Sequence, residues 1–133
     1  MKTVLLTGAT GFLGSHIAKA LLDNNFKVLA YCREQSDFSR LESVKSDITW
    51  FKIGDGLDAP FKAAKIDHII QTATNYGRSQ EQSTLLVETN LSFPLKLFEL
   101  AELYSINTFF NTDTVLHKYV NAYALSKKQL CEW

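Results

Sequence analysis

Apolar positions along the chain fall into two alternating rhythms. Short runs at Val4-Leu5-Leu6, Val28-Leu29-Ala30-Tyr31, Ile48 to Ile53, His68-Ile69-Ile70-Gln71 and Thr108-Phe109-Phe110-Asn111 read as five strands. The fourth is apolar enough to be buried on both faces. Between them the spacing turns helical. Residues 12–23 place Leu13, Ile17 and Leu21 on one face, and Asn24-Asn25 ends that helix. Residues 58–64 read as a short helix. Residues 80–104 read as a long helical region lined by Leu91, Leu95, Phe98 and Ala101. Pro94 lies inside it and should kink it or open a new first turn. A last helix over 121–133 is expected to pack through Leu125, Leu130 and Trp133. Strands alternating with helices predict one α/β domain over residues 1–133. Its sheet should be parallel, in the order 3-2-1-4-5, with right-handed crossovers. No terminating signal follows the last helix, so a fold truncated after the fifth strand and its helix is expected.

Candidate chemistry begins at Thr7-Gly8-Ala9-Thr10-Gly11-Phe12-Leu13-Gly14. Three glycines here follow a strand and open a helix, which is the context that gives such a trio weight. Gly8 would make the tight turn, Gly11 would let backbone N–H groups approach a pyrophosphate, and Gly14 would let helix and sheet pack closely. The helix start at Gly11, Phe12 and Leu13 then offers unpaired donors and a positive dipole end to phosphates. An ordinary strand-to-helix turn is the bland alternative.

The Gly-x-x-Gly-x-x-Gly spacing, with Thr-Gly-x-x-Gly-Phe-x-Gly, resembles the extended short-chain dehydrogenase/reductases. That resemblance implies a Rossmann-type domain with helices on both sheet faces that binds NAD or NADP. It also implies the positions that do so. After the second strand, Cys32 takes the usual acidic place and Arg33 follows it. Arginine can clamp a phosphate with a planar fork of donors, which points to NADP, with NAD as the alternative if Glu34 reaches the ribose instead. Ile53-Gly54-Asp55-Gly56-Leu57-Asp58 resembles the family's Gly-Asp-x-x-Asp, which places Asp55 and Gly56 at the adenine; a plain Asp-Gly turn is the other reading. Gln71-Thr72-Ala73-Thr74 stands where the family runs under the cofactor, a looser match carried by Thr72, Ala73 and Thr74. Asn90 matches the family's asparagine in the long helix, or else caps the kink before Pro94.

Tyr123-Ala124-Leu125-Ser126-Lys127 carries the second motif. On a helix, Tyr123 and Lys127 share a face. A tyrosine hydroxyl has a reference pKa of about 10, and a neighbouring ammonium favours its phenolate. Tyr123 could then exchange a proton with a substrate oxygen while hydride moves to or from a nicotinamide. The family resemblance adds Thr112, after the fifth strand, as the third catalytic member, and gives Lys127 the nicotinamide ribose as well; strand-end capping is the alternative role for Thr112. Two departures stand out. The connection between Thr112 and Tyr123 is short for the family. Thr112-Asp113-Thr114 also lacks the glutamate of the Thr-Asp-Glu found in sugar-nucleotide 4,6-dehydratases. The resemblance therefore implies 4-ketoreduction or epimerisation of a nucleotide sugar, and looks closest to the CDP-abequose and CDP-paratose synthase group. In that family a C-terminal substrate domain follows, and it is expected to be absent from these 133 residues. The competing reading is a cofactor-binding module or redox sensor that does no chemistry.

Composition narrows the partners. Lys+Arg and Asp+Glu are both 14, so no general attraction to nucleic acid or an anionic membrane is expected. No apolar stretch nears the ~20 residues that span a bilayer. Cys32 and Cys131 have neither disulfide-framework nor metal spacing, nor do His16, His68 and His117, so no metal is expected. Reduced thiols point to the cytoplasm. A homodimer is compatible with this composition.

Overall fold

The computed structural model describes residues 1–133. Five strands form one sheet: β1 (Thr3–Thr7), β2 (Lys27–Cys32), β3 (Ile48–Lys52), β4 (His68–Gln71) and β5 (Thr108–Asn111). Their order is β3-β2-β1-β4-β5 and every neighbouring pair is parallel, as the alternating pattern predicts. The helices are α1 (Phe12–Asp23), α2 (Ala59–Ala63), α3 (Ser83–Val87), α4 (Phe93–Leu103) and α5 (Ala122–Glu132).

Two apolar clusters sandwich the sheet. Leu5, Leu29, Tyr31, Ile69, Leu97 and Ala101 form one; Leu6, Val28, Ala30, Ala18, Leu41 and Ile48 form the other. Residues adjacent in β1 and β2 fall in opposite clusters because successive side chains point to opposite faces. Both faces of these central strands are therefore apolar, which is why their sequence shows no polar alternation.

Three details differ from the sequence reading. In α1 the inward positions are Gly14, Ser15 and Ala18, while Leu13 is 48% exposed. Ile17 and Leu21 are half-buried and pack against the second cluster, as the periodicity predicts, but the closest approach of helix to sheet falls on the small residues beside them and leaves Leu13 outside. The long helical region starts at Ser83 and is not continuous. A wide five-residue π turn, Glu88–Ser92, separates α3 from α4. Pro94 has no N–H to donate, so the regular ladder cannot run through it. The extra residue rotates the pattern, and Asn90, Pro94, Leu97 and Ala101 are buried while Phe98 is 45% exposed. Finally, α5 is held by buried Ala124, Ser126 and Lys127, and Trp133 is 83% exposed. The chain end is not the anchor; the polar face of α5 is.

No helix is long and apolar enough to cross a membrane.

Candidate functional site

The sheet's carboxyl edge gathers every motif named above. Gly8 follows β1 with a φ of 68°, a left-handed conformation that favours glycine. A Cβ there would stand 2.7 Å from the Ala73 nitrogen and the Thr72 Oγ1. A Cβ on Gly14 would overlap the Gly8 carbonyl oxygen. The two glycines thus let loop, helix and the β4 terminus touch. Gly11 donates its N–H to the Gly8 carbonyl at 2.9 Å and caps α1. No side chain caps that helix, and its first turn holds no acidic residue. Its opening N–H groups, at Phe12 and Leu13, are thus left without a side-chain acceptor. This is the donor set a phosphate requires.

A buried knot stiffens the floor beside this cradle. The Thr7 hydroxyl donates to the Gln71 side-chain oxygen and accepts from the Thr72 and Ala73 backbone nitrogens, each at 3.1 Å. Thr72 Oγ1 donates back to the Thr7 carbonyl at 2.6 Å, and Gln71 Nε2 donates to the Ala73 carbonyl at 2.9 Å. Thr72 and Ala73 are therefore fixed against Gly8.

At the outer end of the sheet, β2 delivers half-buried Cys32 and then exposed Arg33. The Arg33 backbone N–H is held by Ser36 Oγ at 2.9 Å, while its guanidinium has no carboxylate partner. Glu34 is engaged instead by Lys52, at 2.7 Å. That leaves the cation of the pair of candidates free and the anion occupied. Asp55 closes a short turn after β3 and is exposed, and Gly56 takes a φ of 104°.

Asn90 plays a different part from the ligand suggested by alignment. It is 1% exposed inside the π turn. Its Oδ1 accepts from the Asn75 N–H at 2.7 Å and the Thr74 hydroxyl at 3.1 Å. Its Nδ2 donates to the Asn75 carbonyl at 2.8 Å and to Ser126 Oγ at 3.0 Å. An amide has two donors and two good acceptor sites, so none remains for a ligand. Asn90 is a brace between the loop after β4 and α5.

Helix α5 carries the second motif. Asn121 caps it by accepting the Ala124 N–H at 2.8 Å. Tyr123 is half-buried in the first turn, and Lys127 lies one turn on, 1% exposed. Burial pushes the Lys127 ammonium below its usual range, and the Asp113 carboxylate pulls it partly back. Thr112 meets the β4 end: its N–H and its hydroxyl both reach the Gln71 carbonyl at 3.1 Å. The next residues are tied to α5, because Lys128 Nζ bonds Asp113 at 2.7 Å and the Thr114 carbonyl at 2.6 Å. Burial works to raise the Asp113 carboxyl, but the hydrogen bonds and charge from Lys128, with Thr114, hold it below the usual range. The short 112–121 connection is closed at its other end by the Lys118–Glu132 ion pair.

The structure thus brings the Thr112 loop, Tyr123 and Lys127 to one end of β4 and β5, and sets the glycine cradle beside them. Sequence reasoning missed Thr7, Gln71, Ser126 and Lys128. Thr7, Gln71 and Ser126 each lie inside a motif quoted above, but the motif gives none of them a role; Lys128 lies just outside the Tyr-x-x-x-Lys segment. Their parts are recognisable only once their partners are known.

Residues 4–127 match the NAD dependent epimerase/dehydratase family. Among curated relatives, a CDP-abequose synthase of Salmonella muenchen is 27% identical across 98% of this chain and 46% of its own length. A dTDP-4-dehydro-6-deoxy-D-allose reductase of Streptomyces bikiniensis is 31% identical over 67% of this chain and 30% of its own. Among solved structures, the Bordetella bronchiseptica enzyme WbmH in complex with NAD+ superposes with a TM-score of 0.85 at 21% identity, over 99% of this chain and 51% of that one. The chain spans about half the length of the relatives that it matches throughout.

Proposed function

The chain belongs to the NAD dependent epimerase/dehydratase family, and we propose that it forms the cofactor-binding and proton-transfer half of an NADP-dependent enzyme that reduces the 4-keto group of a nucleotide sugar. The observation that carries this reading is on α5. That helix presents Tyr123 one turn from buried Lys127, while Lys128 locks Asp113 in an ion pair. A proton donor with a cationic neighbour is present; a free acid pair for removing water is not, since Thr114 stands beside the occupied Asp113. One of the named relatives, the dTDP-4-dehydro-6-deoxy-D-allose reductase, supports that direction.

The glycine cradle fits a dinucleotide: Gly8, Gly11 and Gly14 leave room for it, the uncapped α1 start supplies donors, and Arg33 stands free at the ribose end. When bound, the nicotinamide supplies the hydride that adds to the sugar's C4. Tyr123 gives its phenolic proton to the C4 oxygen as that carbon becomes tetrahedral. The phenolate left behind is unfavourable in water, and the Lys127 charge one turn away stabilises it. Thr112 can donate its hydroxyl to the same oxygen after releasing the Gln71 carbonyl. Residues beyond these 133 are proposed to supply much of the sugar-nucleotide site, since the relatives are about twice as long.

The test is turnover of a 4-keto-6-deoxy sugar nucleotide by the protein from the full reading frame. One NADPH consumed per sugar reduced is expected. A stereocentre inverted without net NADPH loss would replace reduction by epimerisation, which the same three side chains could serve. Cofactor held with neither outcome would favour a binding module.

Cofactor choice has its own expected result. Arg33→Asp exchanges a phosphate clamp for an acceptor of the ribose 2′-hydroxyl. Losing charge-assisted hydrogen bonds costs about ten- to hundred-fold in NADPH affinity, and NADH should bind better than before. Titration by NAD(P)H fluorescence reads both; an unchanged preference would remove Arg33 from the site.

A further inference from the structure

We propose that Tyr76 is a positioning residue for Tyr123, its ring holding the Tyr123 phenol in the orientation that proton transfer needs. The inference rests on the role given to Tyr123 above.

Tyr123 sits in the first turn of α5, and the Asn121 cap secures its backbone. Nothing of that kind secures its phenol. Its hydroxyl has no hydrogen-bond partner in the chain, and the Ser126 Oγ beside it donates to the Tyr123 carbonyl, at 2.8 Å. The ring rests instead on the ring of Tyr76, with centroids 5.1 Å apart and planes inclined at 35°. Aromatic contact between rings at that distance is favourable.

The chain goes to some length to aim Tyr76. The preceding residue, Asn75, has both backbone polar groups gripped by the Asn90 amide. The Asn75 side chain then accepts the Gly77 N–H at 2.9 Å, closing a tight turn around Tyr76. Gly77 takes a φ of 67°, and a Cβ there would stand 3.0 Å from Leu86. The same Asn90 amide binds Ser126 on α5. One buried side chain therefore fixes both the turn that carries Tyr76 and the helix that carries Tyr123. Arg78, which forms no ion pair, places its guanidinium 4.6 Å over the Tyr76 ring. This cation–π contact adds a further restraint on that ring.

Ordinary core packing does not account for this arrangement. Tyr76 is 51% exposed, yet the backbone on either side of it, at Asn75 and Gly77, is held by three hydrogen bonds. A ring displaced by about 1 Å can cost on the order of a hundred-fold in rate, which gives the restraint a purpose.

The experiment compares Tyr76→Ala, Tyr76→Leu and Tyr76→Phe in the protein from the full reading frame. Tyr76→Ala and Tyr76→Leu, which lack a flat ring, should lower kcat at least about tenfold. Their KM for NADPH should stay within about threefold of the wild type. Tyr76→Phe should restore kcat to within about twofold. A structural readout runs in parallel: nitration of Tyr123 by tetranitromethane, located by peptide mass, should quicken in Tyr76→Ala and not in Tyr76→Phe. Unchanged kcat in Tyr76→Ala, a Tyr76→Phe as impaired as Tyr76→Ala, or unaltered nitration of Tyr123 would each overturn the proposal. A wild-type protein without turnover would overturn the function above; the nitration series would still decide whether Tyr76 holds Tyr123.

Discussion

Gly14→Ala should destabilise the chain by about 3 kcal/mol and weaken binding of the nicotinamide cofactor proposed above. Two effects oppose each other at this position. Gly14 lies in the first turn of α1, where alanine is intrinsically favoured over glycine by about 1 kcal/mol. Against that, the added Cβ would overlap the Gly8 carbonyl oxygen and stand 2.6 Å from its carbon and 2.9 Å from Ala9 Cα. All three obstacles are backbone atoms, so no side chain can rotate away. Either α1 backs off the sheet or the Gly8 turn deforms. The second route is closed by the Thr72 and Ala73 atoms already crowding Gly8. Overlap therefore wins over propensity, and the displaced α1 start takes its phosphate donors with it. Gly54→Ala is the control: nothing lies within 4 Å of its Cβ position, and it should change stability by less than about 0.5 kcal/mol. Urea midpoints and NADPH fluorescence titration check both. A Gly14→Ala chain as stable as Gly54→Ala, with unaltered NADPH affinity, would show that the close approach of α1 to the loop is not needed.

The same contrast explains what could be read in advance. Sheet order and strand direction were legible because β1, β2 and β4 are apolar on both faces and alternate with helical segments. The glycine trio and Tyr123 with Lys127 were legible because each depends on local spacing. What was hidden depends on contacts far apart in sequence. Thr7 meets Gln71 and Thr72 across 64 and 65 positions, and Asn90 meets Ser126 across 36. No local pattern marks such pairs. Asn90 shows the hazard: alignment suggested a ligand, yet its four hydrogen bonds are all spent inside the chain. Leu13 shows another, since the helix face that approaches a sheet most closely selects Gly14, Ser15 and Ala18 rather than large apolar residues.

Lys127→Met should leave the fold more stable at neutral pH and lower kcat by about a hundred- to ten-thousand-fold. Lys127 is the largest of the fully buried side chains, and no carboxylate lies within ion-pair distance of it. Burial holds its ammonium below the usual range despite the attraction of Asp113. Between the lowered folded pKa and the unfolded value of about 10.4, the unfolded chain binds more protons than the folded one. Wild-type stability therefore carries its full penalty below the folded pKa, and the penalty fades as pH rises through that value. Methionine matches the length and volume of the lysine stem and carries no charge to desolvate. The variant should gain about 1 kcal/mol near pH 7, a modest figure because the attraction of Asp113 offsets part of the desolvation cost. That gain should shrink as pH rises towards 10. Catalysis moves the other way, since the Tyr123 phenolate loses its cation. Denaturation midpoints across pH, with NADPH turnover by the protein from the full reading frame, separate the two effects. A variant less stable than the wild type, or one with a gap that does not narrow with pH, would mean that Lys127 is compensated in the fold. Activity within tenfold of the wild type would mean that Tyr123 does not rely on it.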